Sequence, residues 1–100
     1  MQNTEATTRY FATFTGYEIP FHPAEEITQE SIAERDTYYI AQYVGKRLMS
    51  FEKISEGKRL WLDTYVYWPE SKYLQHRKMV KEDDSVIEQD FDRKGNPVKE

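Results

Sequence analysis

The sequence predicts a mainly β protein: an antiparallel meander of five to six strands, with two short N-terminal strands and at most one short helix. Three observations carry this. Turn residues recur about every 12 positions, at Gly45, Gly57, Pro69 to Ser71, Glu82 to Asp84 and Gly95 to Pro97, a spacing that suits consecutive short strands. The segments between them are rich in the aromatic and β-branched residues that strands favour. Their connections are too short for parallel crossovers, so neighbouring strands pair as antiparallel hairpins.

Met1 to Thr8 is polar and reads as a flexible tail ahead of one β-rich domain over residues 9–100. Arg9 to Phe14 (RYFATF) is the first predicted strand. Thr15 and Gly16 form a turn, and Tyr17 to Phe21 returns as a second short strand. Pro20 confines that return to a sheet edge or to its own end. Pro23 suits the first position of a helix, with Glu25 and Glu26 well placed in its first turn. Ile27 and Ile32 give that helix only a weak apolar stripe, and it runs no further than Ala33.

The meander follows as TYYIAQYV (37–44), RLMSFEKI (47–54), RLWLDTYVYW (59–68), KYLQHRKMV (72–80) and SVIEQDF (85–91). The first two turns share the string Gly-Lys-Arg-Leu, at 45–48 and 57–60, a weak hint of a hairpin repeat. Alternation in the third meander strand puts Leu60, Leu62, Val66 and Trp68 on one face. Trp61, Asp63, Tyr65 and Tyr67 occupy the other, and this strand is expected at the centre of the five-strand meander. A sheet of this size cannot bury both faces by itself, so the N-terminal third or a second molecule must cover one.

A chain of 100 residues is one small domain. Phe, Trp and Tyr make up 15% of it, and tyrosine alone supplies eight. That ring content argues against disorder and lets a few side chains build a core. With no cysteine, disulfides, iron–sulfur clusters, Cys-ligated zinc and thiol catalysis are excluded. No apolar run approaches the roughly 20 residues of a membrane span, and Met1 to Thr8 lacks the pattern of a signal peptide. No membrane association is expected, and the expected location is cytoplasmic. Net charge runs from −5 over residues 1–45 to +5 over 46–81 and −4 over 82–100. The basic middle is either a binding face or the solvated surface of the meander.

No chemistry is written into the motifs. His22 and His76 fall in no metal-ligand spacing, and no metal or other cofactor is expected. There is no GxSxG, P-loop or GxGxxG. The paired acids Glu25/Glu26 and Asp83/Asp84 sit where helix starts and turns favour them. Asp63, between two rings, is expected to pair with a cation of a neighbouring strand, Lys53 or Arg77. The chain is not expected to be an enzyme.

Arg9-Tyr10-Phe11, Thr13, Thr15-Gly16 and Ile19-Pro20 form the string RYFxTxTGxx(I/L)P. With Arg35, Thr37-Tyr38, Arg47-Leu48, Phe51-Glu52-Lys53, Gly57, Tyr65 and Tyr67, they give a chain that resembles a small bacterial family of uncharacterised domains. The resemblance covers roughly Arg9 to Tyr67 and implies a compact, cytoplasmic, mostly β protein. It carries no catalytic residues, and the charged tail after Asp83 departs from it.

The function expected is a non-catalytic module that docks on a larger protein and inhibits, protects or stabilises it, as immunity proteins and accessory factors do. Tyr, Trp and Arg dominate interface hot spots. The candidate contacts are Tyr39, Tyr43, Trp61, Tyr65, Tyr67 and Trp68, with Arg47 and Arg59 at the rim; the competing role for each ring is to fill the core. One rival is a single-stranded nucleic-acid binder using the basic 46–81 stretch, disfavoured by the negative net charge and the lack of an RNP motif. The other is a small-ligand carrier with the meander curled into a half-barrel. Homodimerisation is compatible with all three.

Overall fold

The computed structural model describes residues 6–16 and 19–98. They form one antiparallel sheet of seven strands. In chain order these are β1 (Ala6–Thr15), β2 (His22–Ile27), β3 (Thr37–Val44), β4 (Arg47–Ser55), β5 (Lys58–Tyr67), β6 (Leu74–Lys81) and β7 (Val86–Asp90). A single 3-10 turn spans Glu30–Glu34. The spatial order is β2-β1-β3-β4-β5-β6-β7. The five-strand meander is therefore present as read, and β1 and β2 extend it to one side.

The N-terminal third differs from the sequence reading. β1 begins at Ala6, so Ala6 to Thr8, expected in the tail, are strand; they pair with Gln42 to Val44. Met1 to Glu5 lie outside the described residues, as do Tyr17 and Glu18 of the expected second strand. The return strand instead occupies His22–Ile27, where a short helix or an ordered loop was expected. Tyr10, Phe11, Thr13, Phe14 and Thr15 pair there with Ile27, Glu26, Ala24, Pro23 and His22. Ladder bonds to β1 outweigh a helix that had only a weak apolar stripe to bury. Pro23 is tolerated because β2 is an edge strand. Helical geometry survives only as the 3-10 turn that carries the chain past β1 to β3. β5 is the middle strand of the five-strand meander, as expected, and β4 is the middle strand of the sheet that β1 and β2 extend.

Tight turns fix the meander's register. Ser55 pairs with Lys58, leaving Glu56-Gly57 as a two-residue loop. Both loop residues have positive φ, 50° and 79°. Hairpin turns that match strand twist require this, and glycine supplies it without strain.

The sheet has two unlike faces. Phe11, Tyr39, Ala41, Leu48, Phe51, Tyr65, Leu74 and Phe91 are buried on the inner face. Just ahead of β2, Ile19 and Phe21 pack on the cluster from above that face. Phe21 stacks on Trp61 with centroids 5.3 Å apart, and Tyr39 stacks on Phe51 at 5.2 Å. Phe14 meets Phe21 edge-on at 4.8 Å. The ring face of β5, which had to meet something, meets the chain's own N-terminal loop. Asp63 lies beside Phe51 with no exposed surface. It receives Arg77 Nε at 3.1 Å and Nη2 at 2.7 Å, which settles its partner. Burial pushes the Asp63 carboxyl above its ordinary value while Arg77 pulls against that shift.

The outer face carries no second layer among the described residues. Strand pairing builds one row across all seven strands: Ile27, Tyr10, Ile40, Glu52, Leu62, Val80 and Val86, each directly opposite the next.

Candidate functional site

The eight residues expected at an interface separate into four environments. Tyr39 and Tyr65 are buried in the core, and Trp61 is half-buried under Phe21. The Tyr65 hydroxyl accepts the Phe21 N–H at 3.4 Å, tying the covering loop to β5. Trp68 is also structural. Its indole N–H donates to the Asp92 carbonyl at 2.9 Å, and Arg93 lies 4.4 Å over its ring. Arg59 is exposed and pairs with Glu52 at 2.6 Å on the outer face.

Tyr43, Arg47 and Tyr67 do come together. They line a cleft of about 600 Å³ between the β1–β2 loop, the β3–β4 turn and the end of β5. Its floor and walls are apolar or aromatic: Phe21, Tyr43, Leu48 and Tyr67. Lys46, Arg47 and Lys72 bring positive charge to it. The Tyr67 hydroxyl donates to the Leu48 carbonyl at 2.6 Å, which fixes the ring. Burial pushes this phenol up to about 12, so it stays a neutral donor across the physiological range. Arg47 is held in turn, with its guanidinium 4.6 Å over the Tyr67 ring and Nη2 donating to the Ser71 carbonyl at 2.5 Å.

The sequence reading missed Phe21, Lys46 and Lys72 as members of this cleft. The one available signal was the cationic turn Gly45-Lys46-Arg47-Leu48 facing a tyrosine-rich strand. Phe21 and Lys72 reach the cleft only through tertiary folding.

The outer face is the second candidate surface. Its apolar row is interrupted only by Glu52, whose carboxylate is covered by Arg59. A polar row runs beside it: Thr8, Gln42, Ser50, Thr64, Lys78 and Glu88. Val66 and Val86 are about half exposed. Next to Val66, His76 bridges Asp90 at 2.7 Å and Glu88 at 3.1 Å.

The basic side chains of 46–81 do not share one face. Arg77 is interior and Lys53 lies over Tyr39 on the inner face, while Arg59 and Lys78 belong to the outer one. Among the described residues, no group of three or more His, Asp or Glu is placed to hold a metal ion. No helix among them is long and apolar enough to cross a membrane.

A family model matches residues 3–100, nearly the whole chain, and the protein belongs to that family, a family of unknown function (DUF6156). The match extends well beyond the Arg9 to Tyr67 stretch that carried the resemblance. No curated protein and no solved structure matches the chain.

Proposed function

We propose that this member of a family of unknown function is a non-catalytic module that docks on a larger protein through the outer face of its sheet. The observation that carries the reading is the seven-residue row from Ile27 to Val86, apolar at every position but Glu52. Six inter-strand steps of about 4.8 Å make the row about 29 Å long. Domains are built from packed layers, and a sheet covered on one side has a layer missing on the other. A protein surface supplies that layer.

The mixed character of the face favours a reversible partner over an obligate one. Non-obligate interfaces are about as apolar as ordinary protein surface and keep a polar rim. Here the Thr8-to-Glu88 row and the His76 cluster would form the rim. This docking surface is not the ring-lined one expected from the sequence, because those rings serve the core and the cleft.

The test is site-specific photo-crosslinking in the native host, with the probe replacing Leu62. One heterologous adduct, lost when Ile40→Glu is added, is the expected result. Adducts made only with a second copy of the chain, or indifferent to Ile40→Glu, would sink the proposal.

A further inference from the structure

We propose that the cleft beside Arg47 is a separate site for a small organic anion, one with an apolar, ring-sized body and a single carboxylate or phosphate group. Three observations converge on this class. The first is size. About 600 Å³ lies in the usual range for small-molecule pockets, roughly 300–1,000 Å³. The second is the lining. Phe21, Tyr43, Leu48 and Tyr67 offer an apolar surface from more than one side, which suits a ring or branched alkyl body better than a sugar.

The third is charge. Lys46, Arg47 and Lys72 all border the cleft, and no Asp or Glu lines it among the described residues. None of the three makes an ion pair with a described residue, whereas Arg9, Arg59 and Arg77 each do. Cations gathered around an apolar pocket, with no acidic side chain lining it among the described residues, raise the local potential and attract an anion. Arg47 is also preorganised. The Tyr67 ring and the Ser71 carbonyl fix its plane and occupy one terminal nitrogen. No other described residue accepts from its remaining N–H groups, and a guanidinium binds carboxylate and phosphate through such paired donors. Little side-chain freedom is then lost when the anion arrives.

Isothermal titration of the full chain with four probes tests the site: phenylacetate, phenyl phosphate, inorganic phosphate and neutral phenylacetamide. The expected result is saturable binding of at least one aromatic anion. Inorganic phosphate and phenylacetamide should then each bind at least about tenfold more weakly, because each lacks one half of the recognition. The phenylacetate and phenyl phosphate arms tell a carboxylate ligand from a phosphate ligand. Arg47→Ala and, independently, Lys72→Ala should weaken binding by about tenfold or more, and Arg59→Ala on the outer face by less than about twofold. Leu62→Glu should leave anion binding unchanged, so this site and the docking face fail or succeed separately. Absence of saturable binding by either aromatic anion overturns the proposal. So does equal weakening by Arg47→Ala and Arg59→Ala.

Discussion

Arg77 holds both carboxylate oxygens of Asp63 through Nε and Nη2, at 3.1 and 2.7 Å, with the acid fully enclosed beside Phe51. The two residues come from adjacent strands, β5 and β6, and are one diagonal step apart in the pairing. The carboxylate has no exposed surface and Arg77 is nearly buried, so each charge is tolerable chiefly because of the other. Arg77→Met strands a carboxylate among rings, and Asp63→Leu strands a guanidinium. Each single change should lower stability by about 3–5 kcal/mol, while the double change should recover much of the loss. Urea denaturation of the four proteins reads this as a double-mutant cycle. Additive losses would show that the pair is not coupled.

Phe51 is the aromatic hub of the core. It has no exposed surface and meets Phe14, Phe21, Tyr39 and Trp61 with centroids between 5.2 and 6.0 Å away. Phe51→Ala opens a cavity that four rings cannot jointly fill, and should cost about 3–5 kcal/mol. Val66 is 52% exposed on the outer face, so Val66→Ala should change stability by no more than about 0.5 kcal/mol. Parallel thermal melts of the two variants make the comparison.

What the sequence disclosed follows from how local each signal is. β3 was legible to its ends, because Thr37–Val44 is dense in strand formers and closed by Gly45. The faces of β5 were legible too, since period-two alternation holds from Trp61 to Tyr67. β2 was not. His22–Ile27 carries a proline, two glutamates and no alternation, and it is a strand only because β1 lies beside it. The same limit applies to the rings. Tyr39 and Tyr43 sit four residues apart on the same strand face, yet one is core and the other lines the cleft. The difference is set by where Phe21 packs on the sheet. The outer row was equally hidden, because three bulges, at Gln42/Tyr43, Lys53/Ile54 and Val66/Tyr67, shift the registers that align it.

Of Gly45, Gly57 and Gly95, only Gly95 has a neighbour that an added Cβ would meet. Its φ is +88°, and a Cβ built there would lie 2.7 Å from Cδ1 of Tyr73. Gly95→Ala therefore combines a left-handed strain of about 1 kcal/mol with a clash against an aromatic ring. Tyr73 is 39% exposed and can swing away, so the variant should fold, with the ring displaced. Adding Tyr73→Ala should remove the clash and leave only the backbone strain. A denaturation midpoint for Gly95→Ala that matches the double variant would refute the steric part.

The C-terminal turn should open in acid. The Asp92 carboxylate accepts the N–H groups of Asn96 at 3.0 Å and Lys94 at 2.8 Å, and these bonds hold its pKa below the usual carboxylate value. A depressed folded-state pKa contributes stability above the unfolded value, about 3.9, and that contribution fades as pH falls through the folded one. Once pH has fallen through that depressed value, the protonated carboxyl releases both amides. Trp68 reports the event, because its indole N–H donates to the Asp92 carbonyl while Arg93 covers its ring. The Trp68 indole proton resonance should move toward its solvent-exposed position as pH falls below the ordinary carboxylate value, ahead of global unfolding. Asp92→Asn keeps an acceptor oxygen but cannot titrate, so its Trp68 resonance should stay fixed over that range. An identical acid shift in the variant would mean that another group opens the turn.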